Sequence, residues 1–222
     1  KRQSLYERAW FNTFGVKAKG TYIVDVNKRV NELPYYEALI MEKHETKYHS
    51  ILEMEFLDPF KYIDKVLCIG CRDGRELRLI GKTGIGVDLY PSSVILSNSL
   101  GTKTLLADLI QLPFKDGSFN GVLALESLEY VPIDKTESAL KEISRVLTPN
   151  SIVFMSLEKP YDKSSEDKEY NITYESEYLT VKRHFHRGWG TKGLESIKKH
   201  FKIIELREDE NYYYVMATKK TE

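Results

Sequence analysis

The chain has 222 residues, and its 33 lysines and arginines are balanced by 33 aspartates and glutamates. That length supports one well-buried domain plus an accessory segment, and the neutral balance argues against capture of nucleic acid by a broad basic surface. The apolar share of 41% is that of a globular protein, no apolar run approaches the ~20 residues that span a bilayer, and no signal-peptide pattern is present. Only two cysteines occur, Cys68 and Cys71, a scarcity that fits a reducing cytoplasm.

Residues 1–60 read as a helical extension, and 61–222 as the main domain. Tyr6, Trp10, Phe11 and Phe14 share one face of a short helix that Gly15 or Gly20 would end, and residues 22–26 form a short extended piece. From Pro34, Tyr36, Leu39, Ile40 and then Tyr48, Ile51, Leu52 and Met54 recur at helical spacing. Two uses fit these helices: they cover one face of a sheet, or they close as a lid over a bound ligand and line its pocket.

The main domain then alternates. An apolar run, Val66, Leu67 and Ile69, stops at Gly70, and Gly74 precedes a short helical stretch over 74–80. This is a buried strand, a tight turn and a helix start. A second strand over 83–88 ends in Asp88. Pro91 opens a helix to about Ser99 that Gly101 ends. A third strand over 103–107 precedes Asp108, residues 112–118 form a turn-rich loop, and a fourth strand over 119–125 precedes Glu126. Asp134 and Glu137 are spaced as a capping box for a helix burying Leu140, Ile143, Val146 and Leu147. Pro149 and Asn150 break that helix, and Ile152 to Met155 form strand five. Residues 158–177 are polar and charge-mixed and read as a surface loop. A last helix spans 191–200, and 201–206 with 212–217 form an antiparallel hairpin.

Three consecutive strand ends finish in a glycine turn, Asp88 and Asp108. In open α/β sheets, ligands bind beyond the carboxyl ends of the strands, and an acid about twenty residues past the glycine turn takes ribose hydroxyls. The stretch Val66-Leu67-Cys68-Ile69-Gly70-Cys71-Arg72-Asp73-Gly74 resembles the first motif of the class I S-adenosylmethionine-dependent methyltransferases, of the type 11 kind. Arg72 stands at the middle glycine and Cys68 at the acid. The resemblance extends over about 63–219, including the helix and strand from Ala139 to Met155. It implies a Rossmann-like three-layer α/β sandwich, with a seven-stranded, mostly parallel sheet closed by a C-terminal antiparallel hairpin.

The resemblance also implies S-adenosylmethionine as cofactor, leaving as S-adenosylhomocysteine. The cofactor-binding set it implies is Cys68, Ile69, Gly70, Cys71, Arg72 and Gly74 at the amino-acid end, Asp88 and Leu89 at the ribose and adenine, Asp108 and Leu109 at the adenine edge, and Glu126 facing the reactive methyl. Arg72 adds bulk and charge beside the cofactor's carboxylate, and Cys68 lacks the acid that holds the amino group. The function expected is methyl transfer to a small-molecule acceptor. The alternatives are a methyltransferase-like binding module without efficient catalysis, and a nicotinamide-dependent oxidoreductase, which the absence of Gly-x-Gly-x-x-Gly disfavours.

Each candidate carries a plainer alternative. Asp88 and Asp108 could simply cap the turns that follow them, and Glu126 and Glu129 could be solvated. Cys68 and Cys71 spell Cys-x-x-Cys, a redox pair or half a zinc site, or two small buried thiols. Tyr130 would stabilise a cation at the methyl site with its ring face, or pack in the core. Residues 182–189 are the most basic and aromatic stretch: they grip an acidic substrate or phosphate backbone, or form a strand end leading into the last helix. His184 or His186 there would serve as general base for a hydroxyl acceptor. A sulfonium methyl is already activated, so no metal is expected.

Overall fold

A computed structural model of the chain describes residues 51–81, 84–175 and 180–220. The expected helix over 6–14, the extended piece at 22–26 and the helical positions from 36 to 48 lie outside the described residues. In chain order the elements are α1 (Ile51–Leu57), β1 (Val66–Ile69), α2 (Arg75–Leu79), β2 (Ile85–Asp88), α3 (Pro91–Ser99), β3 (Lys103–Leu106), β4 (Phe119–Leu125), α4 (Thr136–Val146), β5 (Leu147–Glu158), β6 (Lys168–Glu175), β7 (Thr180–Gly188), α5 (Thr191–His200), β8 (Phe201–Glu208) and β9 (Tyr212–Lys219). Short 3-10 turns occupy Asp58–Tyr62, Leu128–Tyr130 and Ile133–Lys135.

Seven strands form one sheet in the order β3-β2-β1-β4-β5-β9-β8. The first five are parallel, and β9 runs antiparallel to both neighbours. β1, β4 and β5 read as near-continuous apolar runs because both faces of the sheet are covered. On one face Val66, Cys68, Leu123 and Phe154 pack with Phe56 and Phe60 of the α1 segment and Leu77 of α2. The rings of Phe56 and Phe154 stack at 4.9 Å between centroids. On the other face Leu67, Val122, Val153 and Val215 meet Leu140 and Ile143 of α4 and Leu194 and Ile197 of α5. The result is the expected three-layer sandwich with its terminal hairpin. Strand order reverses between β1 and β4, so a crevice opens at their carboxyl ends.

Three local expectations are corrected. The capping box does not form: the residue before α4 is Lys135, no side chain caps it, and Glu137 instead bonds Lys199 and His200 of α5. A 3-10 turn at Ile133–Lys135 already leads into the helix, and Lys199 and His200 on α5 compete for the Glu137 carboxylate. Leu147 belongs to β5, not to the preceding helix; it pairs with Phe119, and the strand continues through Pro149 and Asn150. Asn150 absorbs the irregularity with a left-handed φ of 60°, which asparagine tolerates better than most residues.

The third correction is the largest. The surface-loop reading of 158–177 holds for 159–167 but not beyond, because Lys168–Glu175 form β6, which pairs with β7 as a separate two-stranded ribbon. Its sequence is polar, and Tyr170, Ile172 and Tyr174 carry the strand propensity. The basic stretch follows the second of its two readings, a strand that leads into α5, and it runs partly inward: Arg187 is 1% exposed and Trp189 fully buried. The loop over 112–118 is a turn region pinned from α4. There Arg145 donates to the carbonyls of Leu112 and Phe114, and Glu142 accepts the N–H of Leu112 at 2.7 Å.

Truncating the stacked pair should weaken the whole sandwich. Phe154→Ala is expected to cost about 3–5 kcal/mol, whereas Ile204→Thr, at an exposed position on edge strand β8, should change stability by less than about 0.5 kcal/mol. Urea unfolding of both variants checks the contrast.

Candidate active site

β1 ends at Gly70, where the chain turns with φ +64°. A Cβ there would lie 2.5 Å from the Cβ of Ser127, so glycine is required by conformation and by space. The turn after β1 is thus pressed against the segment that follows β4, across the crevice of the sheet. Cys71 N–H donates to the Val87 carbonyl at 3.0 Å, tying the same turn to β2. Gly74, with φ +79°, caps α2.

Arg72 adopts φ 50°, so the left-handed turn is kept although a side chain is present. Such a conformation costs roughly 1–2 kcal/mol for a non-glycine residue. Its N–H donates to Asp88 Oδ2 at 2.8 Å, and Tyr90 N–H donates to Oδ1 at 2.9 Å. Asp88 is 6% exposed. Burial pushes its pKa up to about 6, against the opposing pull of the two backbone N–H groups. Each carboxylate oxygen keeps a further lone pair, so capping its own turn does not prevent Asp88 from accepting two ligand hydroxyls.

Asp108 lies one strand further along the same edge. The Asp88 carbonyl accepts Ala107 N–H at 3.0 Å, and Asp108 Oδ1 accepts Ile110 N–H at 3.1 Å. The strand-end acids therefore also cap turns, and they sit side by side. Leu109 packs in the core beneath them, while Leu89 is half-buried.

Cys68 and Cys71 are buried free thiols. The Cys71 hydrogen bond first, and burial second, push the Cys68 thiol well up, the opposite of a reactive thiolate. Cys68 Sγ lies 4.0 Å from Glu76 Oε2, and Thr104 Oγ1 donates to Cys71 Sγ at 3.6 Å. Among the described residues no group of three His, Cys, Asp or Glu side chains is placed to hold a metal ion.

Beyond β4 the edge becomes acidic and aromatic. Glu126 is exposed, with φ 44°, and its N–H donates to Ser156 Oγ at 3.0 Å. The next turn carries Glu129 inward, so the solvated reading of Glu129 is corrected: it is 1% exposed. Its Oε1 accepts Glu158 N–H at 2.7 Å, and Oε2 is buried without a hydrogen-bond partner. Burial, with Glu126 and Glu158 adding to it, pushes Glu129 to about 8. Glu158, at the end of β5, pairs with His186 Nε2 at 2.5 Å. The His186 ring stacks on Tyr161 at 5.9 Å and meets Tyr130 edge-on at 5.6 Å. Tyr212, opposite Glu158 in register, faces Glu126, Glu158, Glu129 and Glu53, and burial followed by these carboxylates holds its phenol protonated.

The structure therefore brings Gly70, Asp88 and Asp108 to one edge, which Glu126 continues past β4, and Tyr130 of the turn that follows meets His186. His184 is on β7 opposite Ile172, and its side chain lies outside the described residues. Sequence reasoning missed Glu158, Tyr161 and Tyr212. Only the Glu158–Tyr212 register of an antiparallel pair and the β6–β7 ribbon reveal them. Arg187 is held inside by Thr136 and Asp167 and stacks on Trp189 at 3.8 Å, so it does not form an exposed basic grip.

The raised carboxyls fix the sign of a pH effect. Glu129 is protonated in the fold up to about pH 8, while an unfolded glutamate ionises above about 4.3. Across that window the unfolded state binds fewer protons, so stability falls as pH rises and levels off above 8. Denaturation at pH 5 and pH 8 should show wild type losing ground to Glu129→Gln, at up to about 1.4 kcal/mol per pH unit.

Residues 67–155 match the family model for a methyltransferase domain. The chloroplastic tocopherol O-methyltransferase of Arabidopsis thaliana is 29% identical over 164 residues, which cover 68% of this chain and 45% of that protein. Sterol 4-C-methyltransferase strm-1 of Caenorhabditis elegans is 31% identical over 125 residues, covering 50% and 37%. The chain spans about half or less of the length of these curated relatives. Among solved structures, a 1,6-didemethyltoxoflavin-N1-methyltransferase of Burkholderia thailandensis, with 1,6-didemethyltoxoflavin and S-adenosylhomocysteine bound, superposes with a TM-score of 0.68 at 15% identity, covering 93% of this chain and 94% of that one. The family match falls on the strands that present Gly70, Asp88 and Asp108, so residues 67–155 are similar to a methyltransferase domain, and the strand order is the fold of the S-adenosylmethionine-dependent methyltransferases.

Proposed function

We propose that this protein transfers a methyl group from S-adenosylmethionine to a small-molecule acceptor. The observation that carries the reading is the left-handed turn at Gly70 and Arg72, closed on a buried Asp88 that retains lone pairs for two hydroxyls. In this reading the main chain of Ile69, Gly70 and Cys71 takes the amino-acid end, with Arg72 beside its carboxylate and Cys68 and Gly74 shaping the turn. Asp88 binds the ribose, Leu89 lies beside the adenine, Asp108 and Leu109 meet its edge, and Glu126 faces the reacting end. The cofactor supplies a sulfonium methyl that needs no further activation.

The protein's task is then placement and exclusion of water. The carboxyl ends of β4 and β5, with Tyr130, Tyr161 and His186, form the wall where an acceptor would sit. A small-molecule acceptor is supported by the Burkholderia structure, which holds one beside S-adenosylhomocysteine, and by the small-molecule acceptor in the name of the Arabidopsis relative. No helix among the described residues is long and apolar enough to cross a membrane.

Calorimetric titration with S-adenosylhomocysteine tests the cofactor site. Wild type should bind in the micromolar range, and Asp88→Ala should lose about 10- to 100-fold, the worth of hydrogen bonds to a charged group. Affinity should also fall below about pH 6, as the Asp88 carboxylate takes a proton and loses acceptor capacity. Absence of binding by wild type overturns the reading, whereas binding without transfer to any acceptor favours a module that holds the cofactor without catalysis.

A further inference from the structure

We propose that Glu158 is a positioning residue that holds His186 as the group receiving the proton an acceptor sheds on methylation. The inference rests on the methyl-transfer reading above and deepens it at the acceptor side. His186 Nε2 lies 2.5 Å from Glu158 Oε2, and a neutral imidazole carries one N–H and one lone pair. With the N–H committed to the carboxylate, the lone pair falls on Nδ1, whatever that nitrogen contacts in the resting site. A carboxylate that sets the tautomer and steadies the imidazolium is what a histidine base requires.

The pair is itself held from every side. Glu158 N–H is fixed by Glu129 Oε1 at 2.7 Å, and the Glu158 carbonyl accepts Trp189 N–H at 2.7 Å. The ring is clamped between Tyr161 and Tyr130, and Tyr170 lies opposite it in register on β6. Among the described residues, the polar groups facing His186 include Glu158, the tyrosines at 130, 161 and 170, and Glu129 behind Glu158. Tyr130 follows Ser127 by three residues in the same turn, and Ser127 is the residue pressed against Gly70. That short connection ties the imidazole to the β4 side of the crevice, the side on which the reading above puts the acceptor.

For an acceptor carrying O–H or N–H, the new bond joins its oxygen or nitrogen to the methyl carbon. The sulfonium sulfur–carbon bond breaks with its electron pair left on sulfur, and the acceptor's proton passes to His186. Atoms and charge balance with no further reactant, and an acceptor that sheds no proton would have no use for the pair.

The test uses the full chain labelled with 15N-histidine, with the His186 signals assigned by their loss in His186→Gln. S-adenosylmethionine and S-adenosylhomocysteine are the probes, and calorimetry confirms that each is bound. They differ by the methyl group and its sulfonium charge. The expected result is a His186 ring-nitrogen shift that differs between the two complexes, with His200 unchanged. A single tautomer protonated at Nε2 is expected in wild type and a mixed one in Glu158→Gln. Identical His186 signals in the two complexes overturn the proposal and leave the cofactor site standing, as does an unchanged tautomer in the variant. Failure of both probes to bind overturns the methyl-transfer reading and this inference with it. Should Glu158→Gln not fold, the wild-type comparison decides alone.

Discussion

The close approach of the β1 turn to the segment after β4 is the constraint on which the site depends. Gly70 leaves no room for a Cβ against Ser127, so the two strand ends flanking the crevice are locked at a fixed distance. Apart from Glu126 at the end of β4, the residues proposed for the cofactor lie on the β1–β2–β3 side of that contact, and those proposed for the acceptor lie on the β4–β5 side. Arg72 shows how firmly the turn is imposed, because it keeps a left-handed backbone where a residue with a side chain is disfavoured.

The acidic side of the crevice is stabilised at a cost. Glu129 and Arg187 are both almost fully buried, and burying charge is unfavourable unless hydrogen bonds repay it. Glu129 meets that demand by remaining protonated near neutrality and by accepting the N–H of Glu158. Arg187 meets it through Asp167, Thr136 and the face of Trp189. Both groups fasten the β6–β7 ribbon and the turn after β4 onto the sandwich, and that fastening sets Tyr161, His186 and Tyr130 beside one another.

Division of labour between the layers follows. The sheet and its helices have apolar contacts on both faces and give a rigid frame. Among its described side chains, the ribbon is joined to the frame through hydrogen bonds and aromatic stacking at His186 and Arg187. A frame shared with many relatives can thus carry an acceptor wall particular to this chain, and fold likeness alone does not name the acceptor.

The order of strands, the helix from Pro91 to Ser99, the last helix and the terminal hairpin were legible in the sequence, because apolar periodicity and the glycine and proline stops are local signals. Gly70, Asp88 and Asp108 were legible for the same reason: each closes a strand whose apolar run points to it. The ribbon at 168–188 was not, because its strands are polar and are defined by each other rather than by a core. Glu129, Glu158, Tyr161 and Tyr212 were not legible as a group either, since they come from the ends of different strands and turns. A capping box that local spacing favoured gave way to ion pairs from another helix. The sequence by itself determined the frame and the strand-end acids; only tertiary packing decided which acids are buried, which carboxylate meets His186, and which tyrosines surround that ring, because those depend on segments far apart in the chain meeting at one edge.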